Sequence, residues 1–470
     1  MRPTNEANPA AGAATSAFDA APTVTLRRLD LARAATDPAV AAEVRSLFRR
    51  GAVPDPRVRE GARAILAAVK AGGDAAVREA NTRFGGGRAN GSLLVEPAEM
   101  AAARDKLPPR IRRGLEQMIE NIGRFAETEK PETRRTTIVP GVEIERRWVP
   151  LSRVGVYAPG GTAPYPSSLL MGAVPARVAG VGEIVVASPA APDGSLNPTL
   201  LGAAALAGVD AFIVAGGAQA VGALAYGLPV AGIEPVDRVV GPGNAWVTAA
   251  KLEVFGECGI DLPAGPSEVM VVADRTADPA HVASDLLSQA EHGPDSPALL
   301  VTWDAELVAA VEAELAAQLE TAARRSILEK SLAAGATVVL APSRDAGIDF
   351  VNGYAPEHLS VVVGDVEEAV ARLRNAGSLF VGPFAPESAG DYASGANHVL
   401  PTGGLARSCG ALSTESYGKF IQVQRITRDG LTAIRDAVEA ISEAEGLMAH
   451  KRAVELRFED GAAARSEGER

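Results

Sequence analysis

The spacing of hydrophobic and polar residues divides the chain into a helical beginning and a longer region in which strands and helices alternate. Between Pro38 and about Glu129, apolar residues recur every three or four positions, and this spacing predicts amphipathic helices. Glycine clusters at 72–73 and 85–87 interrupt the pattern. We therefore expect residues 23–138 to form an N-terminal helical segment that packs on a larger body.

The pattern changes near Val139, and residues 142–149 alternate as in a half-exposed strand. Short β-branched runs follow, separated by segments with helical spacing. These runs are 154–157, 184–187, 211–214, 269–272, 298–301, 337–340, 359–363 and 378–381. Such alternation predicts parallel sheets with helices on both faces.

The runs are compatible with one sheet or two, and their spacing favours two. The predicted fold class is α/β, with two Rossmann-like parallel half-sheets flanked by helices. We expect a first α/β domain over residues 139–265 and a second over 266–400, although no repeat between the halves is visible in the residues themselves. A helix capped by Asp429 follows a loop-rich stretch, and we assign residues 401–460 to a C-terminal helical arm.

The two ends of the chain lack these patterns. Residues 1–22 are rich in Ala, Pro, Asn and Thr, without a periodic apolar face or the continuous apolar run of a secretory signal. We interpret them as a disordered extension and residues 461–470 as a solvated tail.

Charge and composition narrow the classes of partner. The 470 residues carry a net charge of −12, which argues against nucleic acid or an anionic membrane as a partner. Uninterrupted apolar runs stay below the roughly 18 residues of a membrane span. The two cysteines, Cys258 and Cys409, suit a reducing, cytoplasmic compartment, although a single disulfide between them is possible.

Glycine-rich turns occur at three places in the first α/β domain, 158–162, 215–219 and 241–244. Each can bring backbone amides close to a phosphate at a helix N-terminus. None has the standard dinucleotide or P-loop spacing, and each alone is an ordinary strand-to-helix turn. Taken together, the three turns favour two interpretations about equally, a nucleotide-binding site and a set of ordinary strand-to-helix turns.

Two polar pairs stand out in the second α/β domain. Asp278 and a first-turn proline predict a helix start, and Gln289 and His292 then share one face of its last turn. They could hold a metal ion or a polar substrate, but a polar helix end is the simpler explanation because Gln is an uncommon metal ligand. Glu357 and His358 suit a water-activating carboxylate and a proton acceptor, whereas a polar turn is the simpler explanation of such a pair alone.

The remaining candidates are weaker. His398 ends a loop, 387–398, whose acids and small residues can approach a ligand, or which is an ordinary flexible loop. His281 has no polar neighbour at helical spacing, so we expect it to be structural or exposed. Cys258 and Cys409 could hold an aldehyde as a thiohemiacetal, but they lie outside the polar motifs and we assign both as structural.

Taken together, these segments closely resemble the histidinol dehydrogenase family, and the likeness runs in order from about residue 24 to 458. The matching segments are 156–162 (VYAPGGT), 165–168 (YPSS), 241–245 (GPGNA), 263–268 (PAGPSE), 285–293 (DLLSQAEHG), 352–359 (NGYAPEHL), 390–402 (GDYASGANHVLPT) and 444–450 (AEGLMAH).

The resemblance implies the last step of histidine biosynthesis, in which L-histidinol is oxidised to L-histidine. This proceeds by two hydride transfers through an enzyme-held aldehyde, with two NAD reduced in turn. It also implies a homodimer with one Zn²⁺ per subunit, which orients the substrate. The implied metal ligands are Gln289, His292, Asp391 and His450, the last supplied across the dimer interface by the C-terminal arm.

The resemblance also assigns roles to single residues. Glu357 is expected to activate the water that attacks the aldehyde, and His358 to accept protons. The expected substrate contacts are Ser267, Gln289, His292, His358, Glu387, Asp391, His398, Glu445 and His450. The expected NAD contacts are Tyr157, Gln219 and Asn244.

Two other functions stay open on the sequence alone. A relative of the same fold could oxidise a different polyol, such as a sulfonated propanediol, with the same metal and the same Glu-His pair. The spacing from Glu445 to His450 favours histidinol, because an acid beside the metal suits a cationic amine. A non-catalytic zinc-stabilised binding protein would need a closed four-ligand site, and Glu357 and His358 would then have no role.

Overall fold

The computed structural model describes residues 24–160 and 164–459. The helices are α1 (Pro38–Phe48), α2 (Pro56–Phe84), α3 (Pro97–Asp105), α4 (Pro109–Thr128), α5 (Pro166–Ala179), α6 (Pro198–Leu206), α7 (Gly217–Tyr226), α8 (Ala245–Val254), α9 (Pro279–Ala290), α10 (Ala305–Thr321), α11 (Arg325–Gly335), α12 (Arg344–Tyr354), α13 (Val366–Arg372), α14 (Glu387–Tyr392), α15 (Arg428–Ala444) and α16 (Met448–Glu455).

The strands are β1 (Arg27–Asp30), β2 (Arg134–Val139), β3 (Val142–Pro150), β4 (Arg153–Tyr157), β5 (Glu183–Ser188), β6 (Ala211–Val214), β7 (Arg238–Val240), β8 (Gly259–Ile260), β9 (Val269–Ala273), β10 (Ala298–Thr302), β11 (Ala336–Leu340), β12 (His358–Val362), β13 (Ser378–Val381) and β14 (Gly418–Ile426). The predicted α/β class with two parallel sheets is confirmed. The predicted extension at 1–22 and tail at 461–470 lie outside the described residues.

The chain forms two compact units. The six-stranded unit contains the described residues up to Gly51 together with Pro266–Ser388 and Thr402–Ser408. The five-stranded unit contains Ala52–Gly265, Ala389–Pro401 and the described residues from Cys409 onward.

The six-stranded unit is built on a parallel sheet with the strand order β1-β11-β10-β9-β12-β13. Alternate residues of each strand point to opposite faces, so each face has its own core. Residues such as Val271 and Leu300 pack with α9, α10 and α11 on one face. Residues such as Val272 and Leu359 pack with α12 and α13 on the other, where α1 also contributes partly buried side chains.

The five-stranded unit is also built on a parallel sheet, with the order β6-β5-β4-β7-β8. Val154 and Val186 face α4, α5 and α6, whereas Val185 and Val239 face α2, α7 and α8. A separate antiparallel sheet, β14-β3-β2, lies in the same unit. The half-exposed strand predicted at 142–149 is β3, which forms the centre of this sheet.

The helix starts follow from the sequence. Asp278 accepts a hydrogen bond from the Ala280 N–H and Pro279 occupies the first turn, so α9 begins as predicted. Asn244 caps α8 in the same way, accepting from the N–H groups of Trp246 and Val247. Within the described residues, every helix is too short or too polar to cross a membrane.

Candidate functional site

The polar residues of the six-stranded unit meet at the amino ends of two neighbouring strands. Ser267 and Glu268 immediately precede β9, Glu357 immediately precedes β12, and His358 is the first residue of β12. The parallel register pairs His358 with Val269, so the residues before both strands come together. The pairing of β9 with β12 thus brings together two segments that are about ninety residues apart in the sequence.

The Glu357 carboxylate is buried and firmly oriented. Its Oε2 accepts hydrogen bonds from the Ser267 hydroxyl and from the Glu268 backbone N–H, each at 2.8 Å. Two donors on one oxygen fix the plane of the carboxylate. Ser267, expected as a substrate contact, therefore also contacts the proposed base.

The His358 ring is held by acceptors around Nδ1. This nitrogen lies 3.2 Å from the Glu268 carbonyl oxygen and 3.6 Å from carboxylate oxygens of both Glu357 and Glu387. Because a carbonyl oxygen can only accept, Nδ1 carries the hydrogen, and in the neutral ring Nε2 then has the lone pair. The ring also stacks on Phe380, with centroids 6.0 Å apart. This tautomer suits a proton acceptor that works through Nε2.

Gln289 is fully buried near the end of α9. Its Nε2 donates a 2.7 Å hydrogen bond to the Ser267 carbonyl, which fixes the orientation of the amide. Its Oε1 is buried and receives no hydrogen bond from any residue that the structure describes. A buried acceptor without a donor is unfavourable, and a cation would satisfy it. Gln289 therefore fits a metal ligand on evidence from this structure.

His292 and Glu387 form a second possible pair of ligands. Their ligand atoms lie within 4.8 Å of each other, although His292 is exposed and Glu387 is buried. Asp391 lies four residues beyond Glu387 on α14, on the same face of that helix. The structure thus adds Glu387, expected only as a substrate contact, to the residues close enough to approach a metal.

The five-stranded unit contains the other expected metal and substrate residues. His398 Nδ1 lies 3.0 Å from the Asp391 carbonyl oxygen, and its Nε2 lies 3.3 Å from the Ser168 hydroxyl. Glu445 follows α15 and His450 lies on α16, both exposed. The expected metal ligands are therefore divided between the units, with Gln289 and His292 in one, and Asp391 and His450 in the other.

The three expected NAD contacts line one cavity of about 620 Å³ in the five-stranded unit. Tyr157 ends β4, Gln219 lies in the first turn of α7 after β6, and Asn244 follows β7. This is the carboxyl edge of the sheet, where open parallel sheets bind nucleotides. The lining residues that the structure describes carry no charged side chain; they include Ile65, Phe84, Gly86, Gly160, Pro189, Gly216, Gly217 and Trp246.

Internal hydrogen bonds orient two of these contacts. Gln219 Nε2 donates to Asn81 Oδ1 at 3.3 Å, and Asn81 Nδ2 donates to the Val214 carbonyl at 2.9 Å. The Tyr157 hydroxyl accepts from the Gly217 N–H at 3.4 Å, and burial raises the pKa of Tyr157. The phenol is therefore protonated at neutral pH.

The glycine-rich turn before α8 is clamped by a buried ion pair. The Gly241 N–H donates to Asp261 Oδ2 at 2.8 Å, and its carbonyl accepts from Lys251 Nζ at 3.0 Å. Lys251 and Asp261 are themselves paired and fully buried. Gly241 has φ +111°, and a Cβ there would lie 2.2 Å from the Tyr157 carbonyl oxygen, so only glycine fits. The turn at 158–162 is described only up to Gly160.

His281 and the two cysteines are the remaining candidates. His281 is exposed at the start of α9. Cys258 is buried, donates to the Val236 carbonyl, and has its pKa raised to about 11 by burial, so it is a thiol rather than a nucleophile at neutral pH. Cys258 and Cys409 do not form a disulfide with each other.

Sequence reasoning missed several residues that support these sites. Asp261 and Glu268 flank the PAGPS segment and could have been noticed as acids beside a glycine-rich motif. Asn81 and Lys251 lie in ordinary helical patterns and carry no local signal.

Known proteins resemble this chain over most of its length. The family model described as histidinol dehydrogenase matches residues 49–458. Histidinol dehydrogenase of Leifsonia xyli subsp. xyli is 46% identical over 405 residues, covering 85% of this chain and 92% of the relative. The histidinol dehydrogenase of Halobacterium salinarum is 46% identical over 416 residues, covering 88% of this chain and 96% of the relative. The crystal structure of histidinol dehydrogenase from Elizabethkingia anophelis has a TM-score of 0.85 at 35% identity, covering 92% of this chain and 98% of that chain.

Proposed function

Because the chain belongs to the histidinol dehydrogenase family of oxidoreductases, we propose that it oxidises L-histidinol to L-histidine through an enzyme-held L-histidinaldehyde, with two NAD reduced in turn. The observation that carries this proposal is the buried pair of Glu357 and His358, held by hydrogen bonds to the backbone of one residue, Glu268. Such a pair supplies one carboxylate and one imidazole with different tasks.

In the first oxidation, His358 accepts the hydroxyl proton of the alcohol while the hydride on the same carbon passes to NAD. The Nδ1–H tautomer supports this role, because it leaves the lone pair on Nε2. In the second oxidation, Glu357 takes a proton from the water that adds to the aldehyde, and the protonated His358 returns its proton to the carbonyl oxygen, so the hydrate forms and the imidazole is neutral again. His358 then accepts the hydroxyl proton of the resulting hydrate as its hydride passes to the second NAD, and the product is the carboxylic acid.

NAD is proposed to bind in the uncharged cavity lined by Tyr157, Gln219 and Asn244. Ribose hydroxyls and amide groups can bond to the neutral polar side chains there. An additional ribose phosphate would find no cationic side chain among the described lining residues, which favours NAD over its phosphorylated form.

Zinc is proposed to be held by Gln289, His292, Asp391 and His450, with one ion per subunit. When bound, it supplies a positive charge that orients the substrate. The buried acceptor Oε1 of Gln289 supports the assignment. The exposure of His450 on α16 suits a ligand offered to a second subunit, and we propose a cytoplasmic homodimer of this kind.

The substrate is proposed to contact Ser267, Glu387, His398 and Glu445 as well as the metal ligands. Glu387 is 1% exposed and adjacent to His358, so its carboxylate would attract the amine and imidazole of histidinol. The same carboxylate would repel a sulfonate, which disfavours a sulfonated propanediol as the substrate.

The test is NADH formation by the zinc-loaded enzyme with L-histidinol and, separately, with a sulfonated propanediol. We expect two NADH per histidinol consumed and none with the sulfonate. Turnover of the sulfonate alone would overturn the substrate assignment, and zinc binding without NADH from either alcohol would indicate a non-catalytic protein.

A further inference from the structure

The backbone of Glu268 is the common anchor of both proposed catalytic residues. Its N–H donates to Glu357 Oε2 at 2.8 Å. Its carbonyl oxygen lies 3.2 Å from both the backbone N and the ring Nδ1 of His358. Any shift of this residue would therefore move both catalytic groups at once.

The Glu268 side chain belongs to a buried polar cluster with Arg50 and Tyr354. Its carboxylate is 3% exposed and accepts two hydrogen bonds from Arg50, from Nε at 2.9 Å and from Nη2 at 2.5 Å. The Tyr354 hydroxyl donates to the same carboxylate at 3.0 Å. The guanidinium carbon of Arg50 lies 3.2 Å from the centroid of the Tyr354 ring, so Arg50 is both paired and stacked.

Arg50 also holds the turn that leads into the catalytic pair. Its Nη1 donates to the Tyr354 carbonyl and its Nη2 to the Ala355 carbonyl. Ala355 has φ +55°, and of the residues described it is the only non-glycine with a positive φ. A strained residue two positions before Glu357 needs such support from its surroundings.

We propose that Arg50, Glu268 and Tyr354 are positioning residues that fix the orientation of Glu357 and the tautomer of His358. This inference rests on the proposed function. Arg50 acts on the catalytic pair by two routes, through the Glu268 carboxylate and through the turn at Ala355. Desolvation raises the pKa of Tyr354 well above its usual value, so its hydroxyl remains a donor to Glu268.

An arginine is needed for this geometry. Lysine has the charge but not the planar fork that binds a carboxylate at two points and stacks on a ring. Arg50→Lys should therefore lower kcat by about 10-fold to 100-fold, the order expected for a small displacement of catalytic groups. Tyr354→Phe removes one hydrogen bond, keeps the ring beneath Arg50, and should cause a smaller loss of kcat.

The matched control is Arg88→Lys. Arg88 pairs with Glu99 through two hydrogen bonds of 2.8 and 3.0 Å, but this pair lies in the five-stranded unit and outside the proposed sites. The experiment measures kcat for histidinol and for supplied histidinal, the dissociation constant for NAD, and the melting temperature. We expect Arg50→Lys to slow both oxidations with NAD affinity unchanged, and Arg88→Lys to leave both rates unchanged.

A second readout follows the His358 tautomer directly. With ¹⁵N-labelled histidine and His358→Asn for assignment, the wild-type ring should show a protonated Nδ1, and Arg50→Lys and Tyr354→Phe should show mixed tautomers. Unchanged rates and an unchanged tautomer would overturn the inference, as would an equal rate loss in Arg88→Lys. If Arg50→Lys fails to fold, Tyr354→Phe decides in the same way. A wild-type enzyme inactive on histidinol would overturn the proposed function instead.

Discussion

The two parallel sheets are built from the same strand-and-helix alternation, yet the residues proposed to act in each lie at opposite strand ends. In the five-stranded unit, Tyr157 and Asn244 lie at the carboxyl ends of β4 and β7. In the six-stranded unit, Glu268 and His358 lie at the amino ends of β9 and β12. The general rule for ligands on open parallel sheets therefore predicts the first site but not the second.

The two sites also differ in chemistry. The cavity of the five-stranded unit is lined by glycines, apolar side chains and neutral amides, which suit recognition of a dinucleotide. The amino-end cluster of the six-stranded unit combines buried carboxylates, an imidazole and a buried amide oxygen, which suit proton transfer and metal binding. Substitutions at the cluster of the six-stranded unit should therefore alter the rates of the oxidation steps. Substitutions at the cavity of the five-stranded unit should alter the affinity for NAD.

The largest expected effect is at the metal. His292→Ala should release zinc and abolish turnover, measured as metal content by mass spectrometry and as NADH formation. His281→Ala, at the exposed start of α9, the helix that ends just before His292, is the control and should retain both. Stoichiometric zinc with full activity in His292→Ala would show that the ligand assignment is wrong.

The next effect separates the two oxidation steps. Glu357→Gln keeps the shape of the side chain but removes its basicity, so oxidation of supplied histidinal should slow by about 10²–10⁴-fold. The first hydride transfer from histidinol, followed by pre-steady-state NADH formation, should change far less. His358→Asn is the comparison, and both steps should fall there. Equal losses in Glu357→Gln would mean that Glu357 does not act on the water alone.

A partial effect is expected from mixing subunits. His450→Ala and Glu357→Gln should each form almost no histidine from histidinol, but mixed dimers would contain one site with all its native groups. Part of the activity should then return. If subunit exchange is demonstrated and no activity returns, each site is formed within one chain.

The smallest expected effect is on the NAD affinity of the five-stranded unit. Asn81→Ala removes the hydrogen bond that orients Gln219, a loss of about 1 kcal/mol, so NAD should bind about fivefold more weakly. The rate at saturating NAD should be unchanged. Thr82→Ala, next to it on α2 and exposed, is the control for folding. A fall in kcat without a change in NAD affinity would contradict the division of tasks between the units.

Local patterns in the sequence predicted much of the fold. The β-branched runs gave β4 to β6 and β9 to β13, and Asp278 with Pro279 gave the start of α9. The strands β7 and β8 were missed because two or three residues carry too little periodicity, and β1 was missed because Leu29 is its one apolar residue. The strand β14 was missed because its antiparallel pairing with β3 joins segments about 270 residues apart.

The residues of the proposed sites also differ in how far the sequence could predict them. Gln289 with His292, and Glu357 with His358, are neighbours along the chain and were visible as pairs. The resemblance to a family supplied their roles, which the pairs alone could not. Arg50 and Glu268 are 218 residues apart and meet only through the fold, so no local pattern could reveal their contact.

The position of β1 determines where a recombinant fragment of this protein should begin. The family model begins at residue 49, but β1 already pairs with β11, and Leu29 is buried in the core. A recombinant fragment of residues 49–458 would discard both β1 and α1. It would leave the hydrogen-bonding edge of β11 bare, and a bare edge strand invites intermolecular pairing and aggregation. Cloning should therefore keep every residue from Val24 onward.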